Sequence, residues 1–201
     1  MERTHNKFLS QLSTTDEILH KVVMKQGVIL LPTTDTPFRN LIRIITGQQL
    51  SVKAADTIYK RVENHLGIGY SPESVLNTDD SVFRSLGLSR SKTSYVKAVA
   101  EAAGPDCSNF DEFNNLTNEE VLKRLIAIRG IGLWSAQMYL MFHLCRTDVF
   151  APGDYGLRKA MSKLYGYDTE GKDAIWEERA AIWAPYRTFA SLHLWKYLDN
   201  K

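Results

Sequence analysis

A Gly-x-Gly turn between two apolar segments is the part of this sequence that most clearly indicates a binding function. Gly130 and Gly132 flank Ile131, and helical patterns precede and follow them. Such a turn leaves the first backbone N–H groups of the second helix without intrahelical partners. These groups attract an anion, and a turn without side chains lets a phosphate approach closely. The turn predicts a phosphate-binding hairpin; a tight connection with glycine for steric reasons only is the alternative.

The segments around this turn have the signals of two helices. Thr117 and Glu120 have capping-box spacing, which predicts a helix from Asn118 to about Ile128. A second apolar helix is predicted over 133–144. Two helices joined by so short a turn form a helical hairpin.

Charge is distributed unevenly along the chain. Residues 121–165 hold seven Lys/Arg and two Asp/Glu, whereas residues 66–120 hold four Lys/Arg and nine Asp/Glu, within a net charge of only +2. A basic segment that contains a phosphate-sized turn points to nucleic acid. A solvated charged face is the alternative.

The hairpin, followed by Pro152-Gly153-Asp154-Tyr155, resembles the helix-hairpin-helix DNA glycosylases, and within them the 3-methyladenine DNA glycosylase II branch. The resemblance spans roughly residues 37–197. Three further segments agree with that branch: Ile44-Ile-Thr-Gly-Gln48-Gln49-Leu50-Ser51-Val-Lys-Ala-Ala55, Leu86-Gly-Leu-Ser-Arg-Ser-Lys92 and Trp183-Ala-Pro-Tyr-Arg187-Thr-Phe-Ala-Ser-Leu-His193-Leu-Trp195.

Nearly every segment has helical spacing and short connections, which predicts an all-α fold. The run that begins at Val28 could form a strand, but one isolated run makes no sheet. The resemblance implies a two-lobed helical bundle with a cleft between the lobes. The central lobe would cover about 37–145, and the second lobe about 1–36 plus 146–201. The other predicted helices are Thr14 to about Gln26 with a Thr14/Glu17 capping box, Phe38–Thr46 after Thr36-Pro37, Ser51 to Gly67, a short one from Ser71-Pro72, Asp80–Leu86, Ser91–Ala103, Asp154–Tyr165, Lys172–Ala184 and Tyr186–Leu198.

Asp154 is the candidate catalytic residue. It follows Gly153 where a loop turns into a helix, so its carboxylate can cap free amides, and the helix dipole favours its charged form. A purely structural N-cap is the alternative. The resemblance makes this the family's essential Asp, whose carboxylate would stabilise positive charge that develops on the sugar and orient water. Asp148 is a nearby rival, which we expect on the loop surface.

The resemblance also assigns residues that would contact DNA and the flipped base. The turn at Gln48, Gln49, Leu50 and Ser51 is where relatives insert a side chain into the gap, with Gln49 first and Leu50 second. Hydrogen bonding of the turn by both glutamines is the alternative. Trp134 and Trp195 match pocket aromatics, whereas Trp176 and Trp183 are assigned to packing.

Two more positions complete the predicted pocket. Met138 stands where the branch often has a Tyr, and Tyr155 follows the candidate Asp. Tyr139 lies about 100° around the helix from Met138 and is not a simple replacement. Relatives that cleave the DNA strand need a nucleophilic lysine where this chain has Trp134, so water is the expected nucleophile.

No cofactor is expected, although the resemblance allows Na⁺ or K⁺ on the backbone carbonyls of Ile126, Ile128 and Gly130. Cys107 and Cys145 are the only cysteines, which excludes a four-cysteine iron–sulfur or zinc site and suits a reducing compartment. The sequence has no run of 18 or more apolar residues and no apolar stretch at its start, so we expect an intracellular monomer without membrane contact.

The resemblance, supported by the hairpin and the basic segment, implies a monofunctional DNA glycosylase that removes alkylated purines of the 3-methyladenine and 7-methylguanine type from double-stranded DNA, by base flipping. Two alternatives stay open. One is a non-catalytic helix-hairpin-helix DNA-binding protein, and the other is a glycosylase for deaminated or oxidised bases.

Overall fold

The computed structural model describes residues 2–31, 36–168 and 172–199, and in these ranges all regular structure is helical. The run that begins at Val28 has no regular secondary structure. The helices are α1 Glu2–Thr15, α2 Glu17–Gln26, α3 Pro37–Gly47, α4 Val52–Leu66, α5 Pro72–Leu76, α6 Asp80–Leu86, α7 Arg90–Ala103, a 3₁₀ helix Ser108–Asn115, α8 Asn118–Ile126, α9 Leu133–Phe142, α10 Tyr155–Tyr165, α11 Asp173–Ala181 and α12 Arg187–Asp199. Among the described helices, none is long and apolar enough to cross a membrane.

The chain divides into two compact units. One unit is Thr33–Leu144, and the other combines Met1–Pro32 with Cys145–Lys201. A cleft between the two predicted lobes depends on the arrangement of these units, and it stays a prediction.

The continuous unit is built around α3. This helix packs against α4, α7 and α9, while α8 and α9 form the hairpin. Four of its apolar residues are fully buried because they recur at helical spacing on the faces that meet these neighbours. They are Phe38, Leu41, Ile42 and Ile45.

The discontinuous unit brings together α1, α2, α10 and α12. Its N-terminal part corrects one prediction, because the helix does not begin at a Thr14/Glu17 capping box. Thr14 lies inside α1, and Asp16 caps α2 by accepting the Leu19 N–H at 3.0 Å. The carboxylate of Asp16 also accepts hydrogen bonds from Trp183 and Arg179, so it is a buried structural group.

Other predicted helix caps and helix ends are confirmed when they depend only on residues that are close in sequence. Thr117 and Glu120 form the predicted capping box, and Ser51 caps α4, which ends at Gly67. The hairpin helices end two residues earlier than predicted, at Ile126 and Phe142. The α1 helix and the 3₁₀ helix were not predicted, since their apolar residues are too sparse to give a clear period.

Candidate active site and nucleic-acid interface

The hairpin turn presents the start of α9 without an acidic residue or a side-chain cap. Gly132 is the N-cap residue, and its neighbour Ile131 donates its N–H to the Ile128 carbonyl at 3.1 Å. The first turn of α9 contains no Asp or Glu. The positive end of the helix dipole is therefore not neutralised from within its own first turn.

Different physical reasons account for glycine at the two positions of the turn. Gly130 has φ +94°, and a Cβ there would lie 2.2 Å from Cγ of Tyr95, so the fold itself requires glycine. Gly132 has an ordinary extended backbone, and a Cβ there would meet no atom within 4 Å. Steric crowding within the protein therefore explains Gly130 but does not explain Gly132.

The Gln48 side chain connects the α3–α4 turn to the hairpin. Its Nε2 donates to the Gly130 carbonyl and to Oγ of Ser135, both at 2.9 Å. Lys92 holds the same turn from the other side, since its Nζ donates to the carbonyls of Thr46 and Gln48, both at 2.8 Å. Partial burial lowers the pKa of Lys92.

The tip of the α3–α4 turn is exposed and strained. Gln49 has φ +56°, a region that residues other than glycine rarely adopt, and its side chain is exposed. Leu50 is 40% exposed. Ser51 is the N-cap of α4 and accepts the Ala54 N–H at 3.3 Å. Gln49 and Leu50 are thus presented outward, while Gln48 is used within the protein.

A polar pocket of about 580 Å³ brings most of the predicted DNA-binding residues of this unit together. The α3–α4 turn, the start of α7 and the hairpin turn border it, and no acidic residue is in its lining. It is lined by Gln48, Gln49, Ser89, Ser91, Lys92, Tyr95, Ile126, Ile128, Arg129, Gly130, Ile131 and Gly132. Leu50 and Ser51 are outside this lining.

The carbonyl groups predicted to hold a monovalent cation belong to residues that border this pocket. Two of them already accept a hydrogen bond: Ile128 from the Ile131 N–H, and Gly130 from the Gln48 amide. A carbonyl oxygen has a second lone pair, so each can still serve as a ligand.

Asp154 lies in the other unit, where it is the N-cap of α10, as predicted. Its Oδ1 accepts the Leu157 N–H at 2.8 Å and the indole N–H of Trp195 at 3.0 Å. Asp154 as a whole residue is 9% exposed. Two N–H donors on one oxygen fix the carboxylate and stabilise its charge.

The four tryptophans separate into two groups. Trp176 and Trp183 are fully buried and belong to the core, whereas Trp134 and Trp195 keep part of their surface exposed. The other two predicted pocket residues differ strongly: Met138 is 4% exposed and Tyr155 is 70% exposed.

Asp148, the rival carboxylate, lies in the loop before Asp154, as expected, and its side chain is 32% exposed. It forms a two-point ion pair with Arg187, with Nε–Oδ1 at 2.7 Å and Nη2–Oδ2 at 3.0 Å. The pair ties the loop before Asp154 to the start of α12. This geometry gives Asp148 a structural role.

Comparison with known proteins places this arrangement in a family. The profile described as "HhH-GPD superfamily base excision DNA repair protein" matches residues 42–185. The chain belongs to this superfamily.

Several proteins and solved structures that are similar to this chain are named 3-methyladenine DNA glycosylases or glycosidases. DNA-3-methyladenine glycosylase 1 of Schizosaccharomyces pombe is 34% identical over 163 residues, which is 80% of this chain and 72% of that protein. The structure of the 3-methyladenine DNA glycosylase of S. pombe in complex with abasic DNA matches with TM-score 0.86 and 32% identity over 94% of this chain and 95% of that one. A DNA-3-methyladenine glycosidase from Bacillus halodurans matches with TM-score 0.79 and 35% identity over 96% and 89% of the two chains.

The predicted site residues of this superfamily member fall into two groups, one in each unit. The hairpin, Gln48, Gln49 and Trp134 are in the continuous unit, and Asp154 with Trp195 is in the other. Sequence reasoning missed the part that Lys92 plays. A lysine in the first turn of α7 opposes the helix dipole, which is a sign that it has a partner elsewhere.

Proposed function

We propose that this chain is a DNA glycosylase that hydrolyses the N-glycosidic bond of alkylated purines in double-stranded DNA, as a step of base excision repair. The observation that carries the proposal is the carboxylate of Asp154, fixed by two N–H donors at the start of α10, in a member of the HhH-GPD superfamily. The names of the relatives support the alkylated-base substrate.

Asp154 would act by electrostatic stabilisation. Cleavage of the N-glycosidic bond leaves positive charge on the sugar, and a fixed carboxylate with little exposure to water stabilises that charge. Because the Leu157 N–H and the Trp195 indole hold the carboxylate in place, little reorganisation is needed when the charge develops. The same group can orient or deprotonate the attacking water.

Water is the proposed nucleophile. A lyase mechanism needs an amine that attacks the sugar and forms a Schiff base, and the position after the hairpin where such relatives have lysine is Trp134. The product would be an intact abasic site. Strand cleavage would then be left to another enzyme.

The hairpin would hold the DNA backbone, and the α3–α4 turn would fill the gap left by the flipped base. Gly132 leaves open space for a phosphate at the start of α9. Unstacking a base costs a few kcal/mol, so a side chain that replaces it stabilises the flipped state. Gln49, exposed and held at positive φ, is the first candidate, and Leu50 is the second.

An alkylated purine suits a pocket with indole rings. Alkylation of a ring nitrogen gives the base a positive charge, which weakens the glycosidic bond and makes the base a good leaving group. The faces of Trp134 and Trp195 would add about 0.5–2 kcal/mol of cation–π attraction. Met138 and Tyr155 would complete the pocket. The selectivity would therefore be broad and would depend mainly on the lability of the substrate.

A monovalent cation fits the carbonyl groups of Ile126, Ile128 and Gly130, because neutral oxygen ligands suit a hard cation and each carbonyl retains an acceptor site. When bound, Na⁺ or K⁺ would add positive charge next to a DNA phosphate. Replacing K⁺ by tetramethylammonium at constant ionic strength should then weaken DNA binding and leave folding unchanged. No other cofactor is proposed.

One incubation separates the three candidate functions. Duplexes that carry 7-methylguanine, hypoxanthine or 8-oxoguanine are incubated with the protein, and abasic sites are then cut with alkali. The proposed function requires cleavage at 7-methylguanine that depends on both protein and alkali. Binding without cleavage would indicate a non-catalytic hairpin protein, and faster release of a neutral lesion would indicate the other glycosylase class.

A further inference from the structure

The indole N–H of Trp195 is already used within the protein. It donates to Oδ1 of Asp154 at 3.0 Å, and the Leu157 N–H donates to the same oxygen at 2.8 Å. Asp154 is the N-cap of α10 and Trp195 is on α12, and these two helices pack against each other. Since an indole has one N–H, Trp195 has none left for a substrate.

A glycine makes this hydrogen bond possible. Gly156 is the second residue of α10, and a Cβ there would lie 3.0 Å from Oδ1 of Asp154. The same Cβ would lie 3.1 Å from Cδ1 and 3.2 Å from Nε1 of Trp195. Carbon atoms rarely approach so closely, so any larger residue would displace the carboxylate, the indole or both.

The backbone does not require glycine at this position. Gly156 is helical and is not among the residues with positive φ. Alanine is also the better helix former, by up to about 1 kcal/mol in a helix interior. The neighbours that a Cβ would crowd are the carboxylate and the indole, so the space left by Gly156 serves their contact.

We propose that Trp195 and Gly156 are positioning residues for Asp154, an inference that rests on the proposed function. Trp195 holds one oxygen of the carboxylate through its N–H, and Gly156 keeps the space that this contact needs. The face of the Trp195 ring can still form a wall of the base pocket. The N–H at the edge of the ring, however, acts on the reaction only by holding the Asp154 carboxylate.

Four variants test this inference: Gly156→Ala, Trp195→Phe, the double variant, and Gly153→Ala as a matched control. A Cβ at Gly153 would meet no atom within 4 Å, so this glycine next to Asp154 is replaced without crowding. Trp195→Phe keeps an aromatic ring and removes the N–H. It also serves as the second test should Gly156→Ala fail to fold.

We first measure single-turnover excision of 7-methylguanine at saturating enzyme and the Kd for an abasic-site duplex. A misplacement of about 1 Å in a catalytic group can cost about a hundredfold in rate. The smaller displacement expected in Gly156→Ala and the lost hydrogen bond in Trp195→Phe should therefore each slow excision by about tenfold. Their Kd should change less than threefold. The double variant should be no more than twofold slower than the slower single variant, because both changes break the same hydrogen bond. Gly153→Ala should resemble the wild type.

A spectroscopic measurement does not depend on activity. The indole N–H resonance of Trp195 is assigned as the one that Trp195→Phe removes. It should move upfield in Gly156→Ala, where the hydrogen bond lengthens, and stay unchanged in Gly153→Ala. An unchanged resonance or wild-type excision in Gly156→Ala overturns the positioning inference. Failure of the wild type to excise any alkylated base instead overturns the proposed function, and with it the catalytic meaning of this contact.

Discussion

The two glycines of the hairpin turn allow a sharp test of phosphate binding, because the same substitution has different physical consequences at each. In Gly130→Ala, positive φ costs about 1–2 kcal/mol. Overlap with Tyr95, whose Cγ lies 2.2 Å from the new Cβ, adds about 1–3 kcal/mol. A loss of roughly 2–5 kcal/mol corresponds to about 4–20 °C in Tm for a chain of this size.

Gly132→Ala should leave the fold nearly unchanged. Its Cβ meets no protein atom, and alanine in place of glycine as N-cap costs at most about 1 kcal/mol. If a phosphate approaches here, the added Cβ displaces it from N–H groups whose charge-assisted hydrogen bonds are worth about 1.5–3 kcal/mol. The Kd should then rise roughly ten- to hundredfold for damaged and undamaged duplexes alike, because phosphate contacts do not read bases.

The assay combines thermal unfolding with fluorescence anisotropy on undamaged and abasic-site duplexes. Gly69→Ala is the control for backbone strain, since Gly69 has φ +85° and a Cβ there would meet no atom within 4 Å. It should lose stability through strain alone and bind DNA normally. Were Gly132→Ala to fold and bind both duplexes like the wild type, the hairpin would be a structural connection only.

Three further predictions concern the pocket, the product and acid stability. Trp134→Leu and Trp195→Leu should slow excision of cationic 7-methylguanine more than excision of neutral hypoxanthine, which loses at least the stacking, and Trp195→Leu should slow both because it also removes the hydrogen bond to Asp154; wild-type rates on both bases would place these residues outside the pocket. Sodium borohydride should trap no covalent enzyme–DNA adduct, because Trp134 replaces the lysine of the lyases, and a strong trapped band would reveal a lyase. Burial lowers the pKa of His5 and lowers that of His193 to about 3, so the unfolded chain binds more protons below the ordinary histidine pKa of about 6.5. Stability to urea should therefore be highest above that pH and fall steadily from pH 6.5 towards 3, whereas equal stability at pH 7.5 and 5 would contradict this assignment.

The physical origin of that histidine effect is a buried chain of hydrogen bonds. Nε2 of His5 and Nε2 of His193 are 2.9 Å apart, and Nδ1 of His193 is 2.7 Å from Oε1 of Gln26. An amide oxygen only accepts, so His193 carries its proton on Nδ1 and His5 donates from Nε2. Both rings are neutral in this arrangement. A second proton on His193 would occupy Nε2, the acceptor of the bond from His5, and would break it, whereas a second proton on His5 would place a charge in a buried site.

The helices and their capping residues could be predicted because their signals are local. The Thr117/Glu120 box, the Ser51 cap and the N-cap position of Asp154 each depend on residues three positions apart. Gly130 could be predicted as a turn residue. Its contact with Tyr95 could not, since the two residues are far apart in sequence.

The contacts that hold the candidate site could not be predicted for the same reason. Gln48 reaches across 82 residues to Gly130, and Trp195 reaches across 41 residues to Asp154. No periodicity or motif spacing reports such pairs. Tertiary packing also explains why Asp16, and not Thr14, is the cap of α2. The Asp16 carboxylate accepts hydrogen bonds from a backbone N–H in the first turn of α2 and from the Trp183 indole N–H at the same time.

The most direct test of the central claim is single-turnover excision of 7-methylguanine by Asp154→Asn, with Asp148→Asn as the matched control. Asparagine is a good N-cap residue, so the fold and the Leu157 contact should survive while the negative charge is lost. We predict a loss of at least about a hundredfold in rate for Asp154→Asn, the scale of other lost electrostatic stabilisers, with little change in Kd for abasic-site DNA. Asp148→Asn should keep most of its activity. An Asp154→Asn variant that excises the base at nearly the wild-type rate would contradict the account.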